Sequence, residues 1–98
     1  MFNSTDTLEE VLVAEKTTDT GTPAELLVYN DDQNTFQWVI ECFVDVLSHS
    51  RTQSEQLAMI IHYKGKAVVK TAPHETLRPF KDALVERGLS AVIESMAE

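Results

Sequence analysis

Leu26-Leu27-Val28-Tyr29, followed at once by Asn30-Asp31-Asp32, is the stretch whose reading decides the architecture. Four apolar residues in a row, with Pro23 upstream and a polar cluster downstream, read as a buried strand closed by turn residues. A helix follows. Phe36, Val39, Ile40, Phe43, Val44 and Leu47 recur at spacings of three and four, so they share one face. Asn34 with Gln37 forms a capping-box pair and places the helix start there. Trp38 falls off that face and is expected at the edge of the core.

Working outward, Ser48-His49-Ser50 ends the first helix, and Thr52 with Glu55 opens a second as another capping box. Leu57, Ile60 and Ile61 are its expected inward residues, and Gly65 its C-terminal stop. Ala67-Val68-Val69 reads as a second strand. Residues 71–73 start a third helix with Leu77, Phe80 and Leu84 inward, and Pro79 should kink it. Gly88 ends that helix, and residues 89–93 form a last strand. The order β-α-α-β-α-β predicts an α+β, two-layer domain: three helices on a three-stranded antiparallel sheet.

The chain has 98 residues, enough for one small domain. Residues 1–22 are rich in Ser, Thr, Asp and Glu and read as a flexible acidic extension, with Leu8-Val11-Leu12-Val13 as its one apolar group. Residues 23–98 are the core domain. Net charge is −8, and residues 1–25 carry −5 of it, from six acids and one lysine. Nucleic acid is therefore excluded as a partner, since phosphate binding needs clustered Lys and Arg. No apolar run approaches the roughly 18 residues that would span a bilayer, so no membrane role is expected. One cysteine precludes an internal disulfide and suits a reducing cytoplasm. A monomer is expected, because no heptad or long apolar edge strand promotes self-association.

Two groups of residues could carry chemistry. Asn30-Asp31-Asp32 is a turn by composition, but two carboxylates at a strand-to-helix junction can also accept from a cation. His62 sits where the second helix ends, a half-buried histidine or an acceptor in a site. No metal or cofactor is expected: Cys42, His49 and His74 lack ligand spacing, and no phosphate-binding glycine loop is present. Cys42 lies inside a helix without oxyanion donors nearby, so it reads as core and not as a nucleophile. Nothing in the pattern indicates an enzyme.

Residues 26–94 resemble the ClpS family, adaptors that deliver substrates to Clp ATPases. The likeness rests on Asn30-Asp31-Asp32, on the helix with Trp38-Val39, and on His62-Tyr63-Lys64-Gly65-Lys66-Ala67. It implies that Asn30, Asp31, Asp32 and His62 hold the free α-amino group of a substrate's first residue. An ammonium group carries three donors and needs such acceptors. An imidazole accepts only while neutral, so mild acid should weaken binding. The likeness also implies an apolar pocket of Asn34, Phe36, Val39, Ala58, Ile61 and Leu89 for an N-terminal Leu, Phe, Tyr or Trp. Asn34 stands where the family usually has threonine. Phe36 and Ala58 stand where it commonly has methionine, so a bulkier gate faces a smaller wall. Glu75, with Lys81, would contact the N-terminal domain of a ClpA- or ClpC-like AAA+ ATPase. The competing reading is a protein-interaction module of the same fold, like the ribosomal stalk domain, without N-terminal recognition.

Overall fold

The computed structural model describes residues 22–96. The expected extension therefore lies outside the described residues except for Thr22. Strand β1 (Pro23–Tyr29) is followed by α1 (Phe36–Leu47), α2 (Arg51–Lys64), β2 (Lys66–Pro73), α3 (His74–Glu86) and β3 (Ser90–Ser95). This is the expected α+β order, with three helices and one antiparallel three-stranded sheet. Strand β1 holds the middle of the sheet, in the order β2-β1-β3. That position explains its continuous apolar run. Ala24, Leu26 and Val28 point into the helical layer, while Leu27 faces the other way and is also buried. Val68 and Val92 are the partners of Leu27 on either side, and this cross-strand trio shields it on the open face.

Strand β2 carries a bulge. Leu26 pairs with Lys70 and Leu27 with Val68, so Val69 is an extra residue. Its side chain is buried, and its carbonyl meets His49 Nε2 at 2.8 Å. A carbonyl can only accept, so Nε2 carries the proton in that contact. The α1–α2 turn is thereby tied to the irregular point of the sheet. Lys70 turns back over the Phe80 ring, 5.1 Å from its centre, and so covers apolar surface while keeping its charge at the rim.

The element boundaries correct several expectations. Thr35, not Asn34, caps α1: its hydroxyl accepts from Trp38 N at 3.0 Å. Asn34 is engaged elsewhere. Ser50, not Thr52, caps α2, accepting from Gln53 N at 3.0 Å. The reason is the left-handed backbone of Ser48 (φ 59), which reverses the chain early and brings Ser50 to the cap. Ile60 is exposed, because the buried side of α2 runs through Ser54, Ala58 and Ile61 instead. Their small side chains at 54 and 58 leave room for α1 to approach. Residues 71–73 extend β2, since they pair with Glu25, Ala24 and Pro23. Helix α3 therefore starts at His74, and it continues through Pro79 to Glu86.

Helix α3 lies against the sheet, and α1 packs on both other helices. The core between them is built from Phe43, Leu26, Ile40, Leu77 and Leu84, all fully buried. Cys42 is buried among them, as expected, and burial pushes its thiol pKa up, which suits an unreactive core side chain. Ser54 is the exception: its buried hydroxyl has no hydrogen-bond partner among the described residues. A buried hydroxyl without a partner costs free energy. Ser54→Ala should therefore leave stability unchanged or raise it by about 1 kcal/mol in chemical denaturation. A clear loss would reveal a partner for the hydroxyl.

Candidate functional site

The sheet topology assembles the site. Because β1 is central and both neighbours run antiparallel to it, Tyr29 pairs with Lys66 on one side and Ser90 on the other. The residues after β1 therefore meet those before β2 and those before β3. Asn30 N donates to Gly65 O at 2.9 Å, which joins the two sequence motifs directly. Gly65 stops α2 at φ 95, a conformation that costs a glycine little. It places His62 one turn back from that junction. On the other side, Gly88 turns the end of α3 into β3, also at φ 95.

The loop from Asn30 to α1 is held by a polar cluster. Asp31 Oδ1 accepts from Gln33 N (2.9 Å), Asn34 N (3.1 Å) and Asn34 Nδ2 (3.0 Å). Its Oδ2 accepts from Asn34 Nδ2 and from Ser90 Oγ, each at 3.1 Å. Asn34 Nδ2 also donates to Gly88 O at 2.8 Å. Desolvation pushes the Asp31 carboxyl up. The hydrogen bonds from Gln33, Asn34 and Ser90 together outweigh it and hold the group below the usual aspartate value. A further bond, Trp38 Nε1 to Arg87 O at 3.0 Å, fastens α1 to the same turn, and Arg87 reaches Asp45 at 3.2 Å. Trp38 keeps 39% of its surface exposed, at the rim of the core as expected.

The sequence reading grouped Asp31 with Asp32 as equivalent acceptors. The geometry separates them. The Asp31 oxygens are occupied within the loop, whereas Asp32 is exposed. The side chains of Asn30, Asp32 and His62 make no hydrogen bond among the described residues. His62 is more exposed than a half-buried helix end would leave it. Its ring lies edge-on to Phe36, centroids 6.5 Å apart, and to Tyr63 at 4.8 Å.

Two small recesses open beside these acceptors. One, about 40 Å³, is lined by Asn30, Asn34, Phe36, Val39, Ala58, Ile61 and His62. The other, about 10 Å³, adds Val28, Tyr29, Asp31 and Leu89 to the shared Asn30, Asn34, Val39 and Ile61. All six residues expected to line a pocket border this crevice of two adjoining recesses, which share Asn30, Asn34, Val39 and Ile61. Asp32 lines neither recess. Ser90, Gly88 and Arg87 were missed from the sequence. They lie more than 45 residues from their loop partners, and only the pairing of β1 with β3 brings them close.

Glu75 and Lys81 stand on α3. Glu75 pairs with Arg78 one turn on at 3.3 Å, and Lys81 with Asp82 at 3.2 Å. Surface pairs of this kind contribute little to stability. Among the described residues no group of three or more His, Cys, Asp or Glu converges on a metal position. No described helix is long and apolar enough to cross a membrane.

Residues 20–91 match the family of ATP-dependent Clp protease adaptor proteins, ClpS. The ClpS adapter of Nostoc sp. is 34% identical over 67 residues, covering 67% of this chain and 69% of its own. That of Thermosynechococcus vestitus is 31% identical over 67 residues, covering 67% and 71%. That of Streptomyces coelicolor is 28% identical over 93 residues, covering 95% and 94%. The fold is similar to that of Agrobacterium tumefaciens ClpS2 bound to L-phenylalaninamide, with a TM-score of 0.65 and 21% identity over 76% of this chain and 96% of that one.

The loop cluster makes a direct prediction. Asp31→Ala should speed amide exchange at Gln33 and Asn34 by about tenfold or more, in line with about 1–3 kcal/mol for a lost charged acceptor. Unchanged exchange would mean that Asp31 does not hold the loop. The pH dependence follows from the lowered pKa. A depressed folded value adds stability above the ordinary carboxylate pKa and loses it as pH falls through the lowered one. The amide shifts of Gln33 and Asn34 should therefore titrate with a midpoint below that of an ordinary aspartate.

Proposed function

The chain belongs to the ClpS family of ATP-dependent Clp protease adaptor proteins, and from that premise we propose that it recognises the N-terminal residue of its substrates. The free α-amino group would be held by Asn30, Asp32 and His62, and a bulky apolar side chain (Leu, Phe, Tyr or Trp) would enter the crevice beside them. The observation that carries this reading is the junction of acceptors without partners and an apolar recess at one edge of the sheet.

Each residue has a chemical task. The ammonium offers three donors and one positive charge. Asp32 supplies an exposed carboxylate, Asn30 a carbonyl oxygen, and His62 a ring lone pair. Asp31 keeps the loop in shape and adds its negative charge from behind. Phe36 and His62, edge-on to each other, border the larger recess. Val39, Ala58, Ile61 and Leu89 supply the apolar walls, and burying a Leu or Phe there is worth about 1.5–3 kcal/mol. The ligand of the Agrobacterium protein has both features, a free α-amine and an aromatic side chain. Helix α3, through Glu75 and Lys81, would meet the N-terminal domain of a ClpA- or ClpC-like ATPase.

Fluorescence anisotropy tests the reading. A peptide beginning with a free-amine Phe or Leu should bind, while its N-acetylated form and one beginning with Lys should not. Asp32→Ala and His62→Ala should each abolish binding, with circular dichroism unchanged. Equal binding of the acetylated peptide would overturn the proposal.

A further inference from the structure

Asn34 is the polar wall of an otherwise apolar crevice, and its amide orientation is settled by chemistry. Its Nδ2 faces the Asp31 carboxylate at 3.0 and 3.1 Å and the Gly88 carbonyl at 2.8 Å, and all of these atoms can only accept. Rotating the amide by half a turn would set oxygen against three oxygens. The carboxamide oxygen therefore has one place to be. It lies on the Gly88 side, 3.6 Å from where a Cβ at Gly88 would stand, and it accepts no hydrogen bond among the described residues. Leu89, the next residue, lines the smaller recess together with Asn34. Asn34 lines both recesses, and its carboxamide oxygen is a fixed acceptor beside them.

We infer that Asn34 makes this crevice selective for N-terminal tyrosine over phenylalanine, an inference that rests on the N-terminal recognition proposed above. With the α-amino group at Asn30, Asp32 and His62, an aromatic ring extends inward between Val39 and Ile61. Its para position is the part that travels farthest. A tyrosine hydroxyl there donates to Asn34 Oδ1. A phenylalanine ring fills the same space but strips that oxygen of water and offers it nothing. A polar group left without a partner in a closed site penalises the ligand that lacks the donor. The preference is fixed in place because Asp31 and Gly88 prevent the amide from turning to suit phenylalanine.

The test compares free-amine peptides that differ only in their first residue. Tyrosine should bind about three- to tenfold more tightly than phenylalanine, the size expected of one net hydrogen bond. Asn34→Ala should bring that ratio to about one, because removing the oxygen removes the distinction. A structural role alone would weaken both peptides together and leave the ratio unchanged. The wild-type side-chain amide signals of Asn34 should also shift on adding the tyrosine peptide and much less on adding phenylalanine, a readout that does not depend on the variant folding. Phenylalanine binding as tightly as tyrosine, or a ratio that persists in Asn34→Ala, overturns the inference while leaving N-terminal recognition intact. Failure of every free-amine peptide to bind overturns the recognition itself.

Discussion

The antiparallel pairing of a central β1 with both of its neighbours is the constraint from which the rest of the site follows. Strands that run opposite to β1 must begin where β1 ends. The chain leaving Tyr29 therefore emerges between the start of β2 and the start of β3. Three connections are forced to one edge of the sheet: the loop into α1, the end of α2 and the turn after α3. Each contributes what its local sequence supplies. The loop offers carboxylates and amides, the helix end offers an imidazole, and the last turn offers a backbone carbonyl and Leu89. Burial of Ala24, Leu26, Leu27 and Val28 holds the strand there, and a slip of one residue would exchange its two faces.

Within that junction, one carboxylate organises and another is left available. Asp31 gathers two backbone N–H groups, a carboxamide and a hydroxyl, so the loop needs no helix or strand of its own to keep its shape. Charge-assisted bonds are stronger than neutral ones, which explains how a short irregular loop can be rigid enough to present a site. Asp32, next in sequence, has no such partners and stays in solvent. Two identical side chains one residue apart thus have different surroundings because successive residues of a turn point in different directions.

The same division appears among the aromatic and small side chains. Phe36 and His62 meet edge-on at the border of the larger recess, while Ala58, where a longer side chain would intrude, widens its wall. Trp38 is spent on fastening α1 to the α3 turn through Arg87. The bulge at Val69, caught by His49, anchors the α1–α2 turn at the other side of the sheet. Membership of the adaptor family accords with this design. The chain belongs to that family, and among its described residues no group of three or more His, Cys, Asp or Glu converges on a metal position.

The sequence by itself determined the element order, the apolar faces of α1 and α3, the glycine stops at Gly65 and Gly88, and the two motifs that meet at the site. These are local or periodic signals, written in neighbouring residues. Tertiary structure alone decided the rest. Asn34 lost its expected place as helix cap because Asp31 and Gly88 compete for its amide, and Gly88 lies 54 residues away. Residues 71–73 became strand because the start of β1 offered them pairing partners. Ile60 turned outward because α1 approaches α2 on the side of Ser54 and Ala58. Asp31 and Asp32 could not be told apart until Ser90 was seen to approach one of them. Hydrogen-bond partners distant in the chain leave no trace in local composition, and they settle which of several compatible polar groups remains free for a ligand.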